Sequence, residues 1–564
     1  MLEQTKRLWK DRKRQSEYFK WIMSYTKPYF WKIAGVMCLN LSSTVITLVM
    51  TLITKRIIDD ATNGKGNSLW MFILIYLGMM LLSQALNVVV SLASTMLNEK
   101  FSFGIRKQVY EKIINSDWMS VKRYHTGDLM TRMTSDAGNI ANGIIWTIPE
   151  IIQLVVELLL VFITLFYYSP LLACFAVLIA PVAALSTFWL GKKLKKLTVK
   201  VQESEAAYRS FMQESMANLL IVKAFTNEEY STDRLVDLRE ERFYWVFKKT
   251  KFGLISSTSM SLSFQIGYIV AFAYGALQVA ANVITFGTMS VFMTLVNRIQ
   301  SPIMQLAQQI PKVVNILASA GRVMELQNIA EEEKKEQHIP ANMLGVRVKG
   351  LTFGYSDENI IENADFEIRP GDAVAIVGES GIGKTTLVRI IMSFLNANSG
   401  TIEFYNENND TEEVNAGIRK FISYVPQGNT LFSGTIRENI RMGNLEATEE
   451  DMIEALKMAS GYDFVMSLDK GLDTVIGERG HGLSEGQAQR IAIARTLVRK
   501  APFLILDEAT SALDEATEQK VIDGLNKLNP KPTCLIITHR RSILKYCDRE
   551  IRIIDKKVIE ESIN

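Results

Sequence analysis

The chain has 564 residues, of which 48% are hydrophobic and 22% charged, and its formal net charge is +3. A charge this close to zero gives no indication of a nucleic-acid partner or of an acidic substrate. Its four cysteines (Cys38, Cys174, Cys534 and Cys547) show neither metal-ligand spacing nor a disulfide framework, which suits a reduced interior.

Six long apolar segments precede residue 315, and each is about 20 residues long, enough to cross a bilayer. Six such segments between polar stretches predict a membrane domain of six helices, not buried helices of a soluble protein. The basic N-terminal arm before them has no cleavable apolar core, so we expect no secretory signal peptide. The predicted spans are Ile33–Thr54, Leu69–Leu92, Ile144–Tyr167, Pro170–Leu190, Leu254–Ala276 and Thr288–Ile310.

The basic residues are distributed unequally between the connections. Lys and Arg are abundant in the N-terminal arm and in the long connections 93–143 and 191–251. Among the short connections only Lys65 is basic; these are 61–68, 168–169 and 277–287. Basic connections stay in the cytoplasm, so we expect a multi-pass protein of the bacterial plasma membrane whose N-terminus and C-terminal half are cytoplasmic.

Two charged residues, Glu157 and Arg298, fall about 15 Å from the outer ends of their helices, at 1.5 Å per residue. At mid-bilayer each costs roughly 2.5–3.5 kcal/mol or more unless it is paired or hydrated. We favour a structural ion pair between them. The alternative is a hydrated substrate cavity that includes the neighbouring Asn297.

Polar residues also share one face of three of these spans, where they either bond to other helices or line a substrate path. They are Asn40, Ser43, Thr44, Thr47 and Thr51 on the first span, Gln84, Asn87 and Ser91 on the second, and Thr294, Asn297, Arg298, Ser301 and Gln305 on the sixth.

A polar linker, predicted at 316–345, separates the membrane domain (1–315) from a second domain (346–564). There the apolar run Asp372–Val377 predicts a strand that leads into a glycine-rich loop and a helix, the context of a phosphate-binding loop. Backbone N–H groups and the helix N-terminus would face the phosphates, Lys384 the β/γ-phosphates and Thr385 the Mg²⁺ ion. The nucleotide-contacting positions of this loop are Gly378, Ser380, Gly381, Gly383, Lys384, Thr385 and Thr386.

Further motifs follow this loop in a fixed order. The strand Phe503–Leu506 delivers Asp507, which suits Mg²⁺, and then Glu508, which suits a general base beside a γ-phosphate. The strand Cys534–Thr538 delivers His539. About a hundred residues after the loop, Leu483–Gln487 (LSEGQ) has the S-x-x-Q form of a capping box at the start of a helix.

Together these motifs resemble the ATP-binding cassette (ABC) superfamily, in which two cassettes pair head to tail. The resemblance implies that Glu508 is the catalytic glutamate, His539 the switch histidine, and Gln427 the glutamine that touches the metal and senses the membrane domain. It implies that Tyr355 stacks on adenine and that Asp514 belongs to the D-loop at the dimer interface. Ser484, Gly486 and Gln487 of one cassette would cap the ATP of the other.

At Glu485 the chain departs from the superfamily, which usually has glycine there. An anion beside a phosphate is unfavourable unless its side chain turns away, so we expect a tolerated variant.

The resemblance covers nearly the whole chain and implies a half-transporter of the exporter group: an all-α six-helix membrane domain fused to an α/β P-loop NTPase cassette. Two segments, 125–132 and 221–228, resemble the coupling segments that dock on the cassette. One phosphate loop and one signature require a second chain, and we expect a homodimer over a heterodimer with a homologous half-transporter. ATP and Mg²⁺ are the implied cofactors.

The implied activity is ATP-driven export of an amphipathic drug-like molecule, peptide or lipid. The peptidase-fused peptide exporters are excluded because no N-terminal domain carries a Cys/His pair. An ATP-gated channel or regulator remains an alternative, although Glu508 and His539 favour turnover. A soluble cassette ATPase acting on nucleic acid or ribosomes conflicts with the six spans.

Overall fold

The structure is a computed structural model that describes residues 16–18, 20–333, 335–336, 339, 343–355, 358–477 and 480–562; the side chains of 171–192, 300, 541 and 562 lie outside this description. The chain divides into two compact units. The helical unit combines 126–328 with the described part of 1–111, and the α/β unit combines 112–125 with the described part of 329–564.

Long helices dominate the first 330 residues. Four helical stretches in the described part of the chain are long and apolar enough to cross a membrane: Ser16–Thr62, Gly66–Asn115, Thr126–Tyr168 and Glu228–Ala280. The other two predicted spans also lie on helices. The fourth span includes side chains, at 171–192, that lie outside the description. The sixth lies on a continuous helix whose apolar sequence is interrupted by Arg298 and the polar stripe. The helices are α1 Phe30–Thr62, α2 Gly66–Asn115, α3 Trp118–Lys122, α4 Thr126–Tyr168, α5 Pro170–Ala217, α6 Leu219–Ala224, α7 Glu228–Ala280 and α8 Phe286–Gln327.

The helical unit has an apolar core shared by α1, α4, α7 and α8. Val161, Leu165 and Leu295 are fully buried there, and Val291 and Phe292 are nearly so. On helices that cross a bilayer, such side chains hold the helices together by close van der Waals packing and not by transfer out of water. The core therefore fixes α8, the helix that carries Arg298, against its neighbours.

An ion pair joins α4 to α8 near the end of the helical unit. Asp136, 1% exposed, accepts hydrogen bonds from Ser319 Oγ (2.8 Å) and from Nε of Arg322 (2.7 Å). It ends a π-helical segment of α4, Arg132–Asp136, and a second such segment follows at Gly143–Thr147. Because π-helical turns widen a helix locally, they set the direction in which Asp136 points.

The α/β unit contains three sheets. The strands are β1 Leu344–Phe353, β2 Ile361–Ile368, β3 Ala373–Val377, β4 Ser399–Asn406, β5 Thr411–Glu413, β6 Ile422–Val425, β7 Gly434–Thr435, β8 Val475–Ile476, β9 Phe503–Asp507, β10 Thr533–Ile537, β11 Arg549–Ile554 and β12 Lys557–Ser562. The first sheet is antiparallel and has the strand order β2-β1-β4-β5. The second has the order β12-β11-β3-β10-β9-β6 and is parallel except for β12, and the third pairs β7 with β8.

Helices pack against the parallel sheet. In β3, β9 and β10 nearly every residue is buried, so these strands read as continuous apolar runs, as covered parallel strands do. The helices are α9 Lys384–Ile391, α10 Ile436–Arg441, α11 Glu449–Met458, α12 Tyr462–Met466, α13 Glu485–Leu497, α14 Glu515–Asn526 and α15 Arg541–Leu544.

The short helix α3 belongs to the α/β unit although it lies more than 200 residues before it in the sequence. Trp118 packs 5.9 Å from the ring of Phe394, with the guanidinium of Arg389 5.2 Å from its own ring. The backbone N–H of Asp117 donates to the carbonyl of Ala330 at 3.0 Å. Trp118 and Met119 thereby complete one of the unit's apolar cores.

The first predicted coupling segment, 125–132, is divided between the two units: Lys112–His125 belongs to the α/β unit and 126–132 to the helical unit. That this segment docks on the α/β unit stays a prediction. The contacts that the structure shows come earlier in the chain and include Trp118, whose aromatic side chain packs on an apolar core of the α/β unit. The second predicted segment contains the short helix α6, in the helical unit.

Candidate nucleotide-binding site

Four neighbouring parallel strands end at one edge of the second sheet, in the order β3, β10, β9 and β6. The phosphate loop follows β3, the switch histidine follows β10, Asp507 ends β9 and Gln427 follows β6. Ligands of open α/β sheets bind outside the carboxyl ends of the strands. The sheet order therefore gathers residues that are up to 160 positions apart in sequence.

The phosphate loop turns through left-handed backbone. The φ angles of Gly378, Gly381 and Gly383 are 155°, 82° and 118°, conformations that side chains disfavour. A Cβ at Gly383 would also lie 2.7 Å from Ile360 Cγ2, whereas one at Gly381 would meet nothing within 4 Å. Ser380 is exposed beside it, so this part of the loop is open to an incoming phosphate.

Lys384 is held at the base of the loop. Its ammonium donates hydrogen bonds of 2.8 Å to the carbonyls of Gly378 and Glu379, and the residue is only 6% exposed. Burial lowers the pKa of Lys384, while the nearby carboxylates of Glu508 and Asp507 act in the opposite direction. The ammonium is thus a positioned donor whose hydrogen bonds a phosphate could accept in place of the loop carbonyls.

Asp507 and Thr385 form the predicted metal position. Asp507 is 1% exposed; one carboxylate oxygen accepts from Thr385 Oγ1 at 3.4 Å and the other from Tyr424 OH at 3.3 Å. Burial raises the pKa of Asp507, and the two hydroxyls oppose that shift. Mg²⁺ is typically held by one or two carboxylates together with substrate phosphates. These oxygen donors fit it, and the described residues contain no larger carboxylate, His or Cys cluster.

Tyr424 was not predicted from the sequence. It lies on β6, three residues before Gln427, and its contact with Asp507 arises only because β6 and β9 pair.

Glu508 is the meeting point of three motifs. Gln427 Nε2 donates to its carboxylate at 2.6 Å, and His539 Nε2 lies 3.4 Å from the other carboxylate oxygen. Its φ is 51°, a left-handed conformation that costs a non-glycine residue about 1–3 kcal/mol and is concentrated at active sites. The structure thus brings together the three residues predicted to be catalytic.

Tyr355 follows β1, and its ring is 44% exposed. It packs edge-on to Phe353, with centroids 5.1 Å apart, and its hydroxyl lies 3.4 Å from Oγ1 of Thr386, one of the predicted loop residues. The ring is therefore beside the phosphate loop with part of its surface uncovered, as a base-stacking residue requires.

The signature forms the predicted capping box. Ser484 Oγ accepts from the backbone N–H of Gln487 at 3.3 Å, and the Gln487 side chain accepts from the Ser484 N–H at 2.9 Å. Glu485 is exposed, and a Cβ added at Gly486 would lie 2.9 Å from the carbonyl oxygen of Ala512. In the described part of the chain no hydrogen bond joins these residues to the phosphate loop.

Asp514, the predicted D-loop residue, caps α14. Its carboxylate accepts from the backbone N–H of Thr517 at 3.1 Å, and hydrogen bonds from the side chain and the backbone of Thr517 lower its pKa.

The predicted substrate residues lie in the helical unit, on α4 and α8. Glu157 and Arg298 are half-buried and Asn297 is exposed. Arg298 acts electrostatically on Glu157, but no salt bridge within 4.0 Å joins them among the described residues, so the favoured ion pair stays a prediction. On α1, by contrast, Ser43 bonds to Asn87 at 2.9 Å, so that stripe is used between helices.

Comparisons with known proteins match both units. The family model described as ABC transporter transmembrane region matches residues 33–303, and the one described as ABC transporter matches 361–511. An ATP-dependent lipid A-core flippase of Bordetella avium is 30% identical over 557 residues, covering 97% of this chain and 93% of that protein. A putative multidrug export ATP-binding/permease protein of Staphylococcus aureus is 27% identical over 560 residues, 95% of each chain.

Among solved structures, a bacterial Atm1-family ABC exporter with ATP bound superposes with a TM-score of 0.79 at 23% identity, covering 95% of each chain. The two chains thus share a fold over 95% of their lengths.

Proposed function

Since this chain belongs to the ABC exporter family and is a half-transporter that couples ATP hydrolysis to export of amphipathic substrates, we propose that two copies of it form the working unit. The observation that carries this is the arrangement of Glu508, engaged by Gln427 and His539 beside the phosphate loop. All the catalytic groups are present in one chain, so a homodimer would have two competent sites.

In the proposed dimer, Lys384 and Thr385 of one chain hold the phosphates of ATP, and Ser484 and Gly486 of the other chain cap them. A single chain leaves its signature unconnected to its own phosphate loop, which supports pairing in trans. The capped α13 N-terminus offers backbone donors to an anion. Tyr355 would take the adenine on its uncovered ring face.

Asp507 and Thr385 would hold Mg²⁺, with Gln427 joining them when it leaves Glu508. Bound Mg²⁺ would neutralise charge that develops on the phosphates. Glu508 would accept a proton from the attacking water, and His539 would donate to the γ-phosphate. The left-handed backbone at Glu508 keeps its carboxylate at the strand end, directed at that position.

ATP would drive transport by binding more tightly to the closed cassette pair than to the open one. We propose that α3, through Trp118, and the segment 221–228 transmit closure of the cassette pair to the membrane domain. That domain would be multi-pass, with its basic connections and the α/β unit on the cytoplasmic side. Exposed apolar residues of the second segment, such as Ile221 (54% exposed) and Phe225 (67%), support a contact with the second copy.

The substrate path would include Asn297 and Arg298 on α8 and Glu157 on α4. Glu157 and Arg298 interact electrostatically without a salt bridge within 4.0 Å among the described residues, which supports water or a bound ligand between them. A ligand with both an anionic and a cationic or polar group, attached to an apolar body, matches this pair. Replacing Arg298 with Ala should then shift the substrate concentration for half-maximal ATPase stimulation by about fivefold or more.

Turnover of this chain alone in lipid nanodiscs, beside Glu508→Gln, tests the proposal. Turnover that disappears in Glu508→Gln supports the self-sufficient homodimer. A folded, dimeric wild type without turnover in the presence of candidate substrates would contradict it and favour a heterodimer or an ATP-gated regulator.

A further inference from the structure

The D-loop, residues Ser511–Asp514, connects Glu508 to α14 and is gripped from two sides. One grip comes from the residue that follows the switch histidine, and the other from the helix that follows the signature. Neither gripping residue contacts Glu508 in the described structure, so neither belongs to the catalytic group.

Arg540 provides the first grip. Its guanidinium donates to the carbonyls of Ser511 (2.7 Å) and Leu513 (2.8 Å) and to the carboxylate of Glu518 (3.1 Å). Glu518 is 2% exposed, and its other oxygen accepts from Ser542 Oγ at 2.8 Å. Since the planar fork of an arginine holds several acceptors in one geometry, the D-loop backbone is fixed relative to His539, the preceding residue.

Gln489 provides the second grip, from α13, three residues after Gly486. It is 4% exposed; its amide nitrogen donates to Ser511 Oγ at 3.0 Å, and its amide oxygen accepts from the Ala512 N–H at 3.1 Å. Next to it, Gly486 leaves no room for a Cβ because the Ala512 carbonyl is 2.9 Å away. The signature helix and the D-loop therefore pack backbone against backbone.

Because the four-residue D-loop is bonded to both Arg540 and Gln489, it cannot move relative to either residue without breaking hydrogen bonds. We propose that Arg540 and Gln489 are positioning residues that make the switch-histidine loop, the D-loop and the signature helix move as one body. This rests on the proposed head-to-tail dimer. In that dimer, a change at the chain's own ATP site reaches the signature that caps the ATP of the partner.

The test uses mixed dimers whose two chains differ in size through a fused tag and are purified by two affinity tags. Both chains carry Glu508→Gln so that bound nucleotide is not hydrolysed, and only the first chain carries Arg540→Lys. Lysine keeps the charge beside Glu518 but cannot reach both carbonyls. Photolabelling with 8-azido-ATP then reports separately the nucleotide held by each chain.

We expect Arg540→Lys in the first chain to reduce labelling of the second chain by about three- to tenfold, the effect of losing one or two hydrogen bonds. Labelling of the first chain should change less than twofold, because its phosphate loop is untouched. The matched control is Lys384→Ala in the first chain, which reduces labelling of that chain directly. Loss confined to the first chain, as in this control, or equal loss on both chains would overturn the proposal.

Gln489→Leu in the first chain breaks the other grip and should give the same trans pattern, so the test does not depend on the folding of one variant. Normal labelling of the second chain with Gln489→Leu would equally overturn the proposal. If the dimers with Glu508→Gln alone fail to form or to bind nucleotide on either chain, it is the proposed function that fails, and the two failures are thereby distinguished.

Discussion

The side-chain amide of Gln427 donates a 2.6 Å hydrogen bond to the carboxylate of Glu508. Gln427 follows β6, and Glu508 follows β9, which pairs with it. The expected general base thus bonds to the residue expected to bind the metal. Gln427 would have to leave Glu508 in order to contact Mg²⁺, and the base would then be free to accept a proton.

Replacing Gln427 with Leu should therefore leave nucleotide binding without Mg²⁺ within about twofold of wild type and lower ATP turnover about tenfold or more. The reason is that the base is freed but the metal loses an oxygen donor. Turnover and binding of a fluorescent ATP analogue, each with and without Mg²⁺, measure the two effects. Unchanged turnover would show that Gln427 does not serve the metal.

Tyr424→Phe keeps the ring and removes the hydroxyl that donates to Asp507. We expect the Mg²⁺ concentration for half-maximal turnover to rise about fivefold, because a buried carboxylate oxygen loses its orienting bond. Mn²⁺ binding followed by electron paramagnetic resonance provides a readout independent of turnover. Tyr405→Phe is the matched control: its hydroxyl makes a 3.5 Å contact with the Ile368 carbonyl on the antiparallel sheet. An equal Mg²⁺ shift in both variants would contradict this role.

Glu485→Gln removes a negative charge from the first turn of the signature helix without changing its size. Because that charge would lie near the ATP phosphates of the second copy in the proposed dimer, we expect the KM for ATP to fall about two- to fivefold at low ionic strength and the difference to shrink as salt is added. The helix should lose about 0.3–1 kcal/mol, since a carboxylate favours a helix N-terminus. Steady-state kinetics in a salt series test this, and a KM difference independent of salt would exclude the electrostatic cause.

Trp118→Ala removes the ring that lies against Phe394 and Arg389. We expect substrate to stimulate ATP turnover less than half as strongly as in wild type, because α3 loses its anchor on the α/β unit. The free energy of unfolding of that unit should fall by about 3 kcal/mol. Trp118→Phe, which keeps an aromatic ring, should retain most of the stimulation. Stimulated turnover and thermal unfolding are measured on the same preparations. Normal stimulation in Trp118→Ala would contradict this role of α3.

Much of the nucleotide site follows from local sequence because its motifs are contiguous. The phosphate loop needs glycines at fixed spacing, and the capping box of Ser484 and Gln487 is a four-residue pattern, so both could be read without the fold. Tyr424, Gln489 and Arg540 could not, because their partners lie 83, 22 to 23, and 22 to 29 residues away and meet them only through strand pairing or helix packing.

The membrane residues show the opposite limit. Polarity at helical spacing identified the stripes on the first and sixth spans equally, but only neighbouring helices decide their use. Ser43 bonds to Asn87 on α2, whereas Arg298 interacts with Glu157 electrostatically, without a salt bridge within 4.0 Å among the described residues. The role of Trp118 likewise could not be predicted, since nothing local marks it as part of a core more than 200 residues further on.

The position of Trp118 and Met119 in the core of the α/β unit also bears on biosynthesis. These residues leave the ribosome roughly 220 residues before β1, which at about 5–20 residues per second corresponds to a delay of roughly 10–45 s. During that time α3, which lies between two candidate membrane spans, presents the uncovered ring of Trp118, which is available to a chaperone. The α/β unit, for its part, completes its core only when it meets a segment already anchored at the membrane, so that its maturation reports correct insertion of the helices made before it.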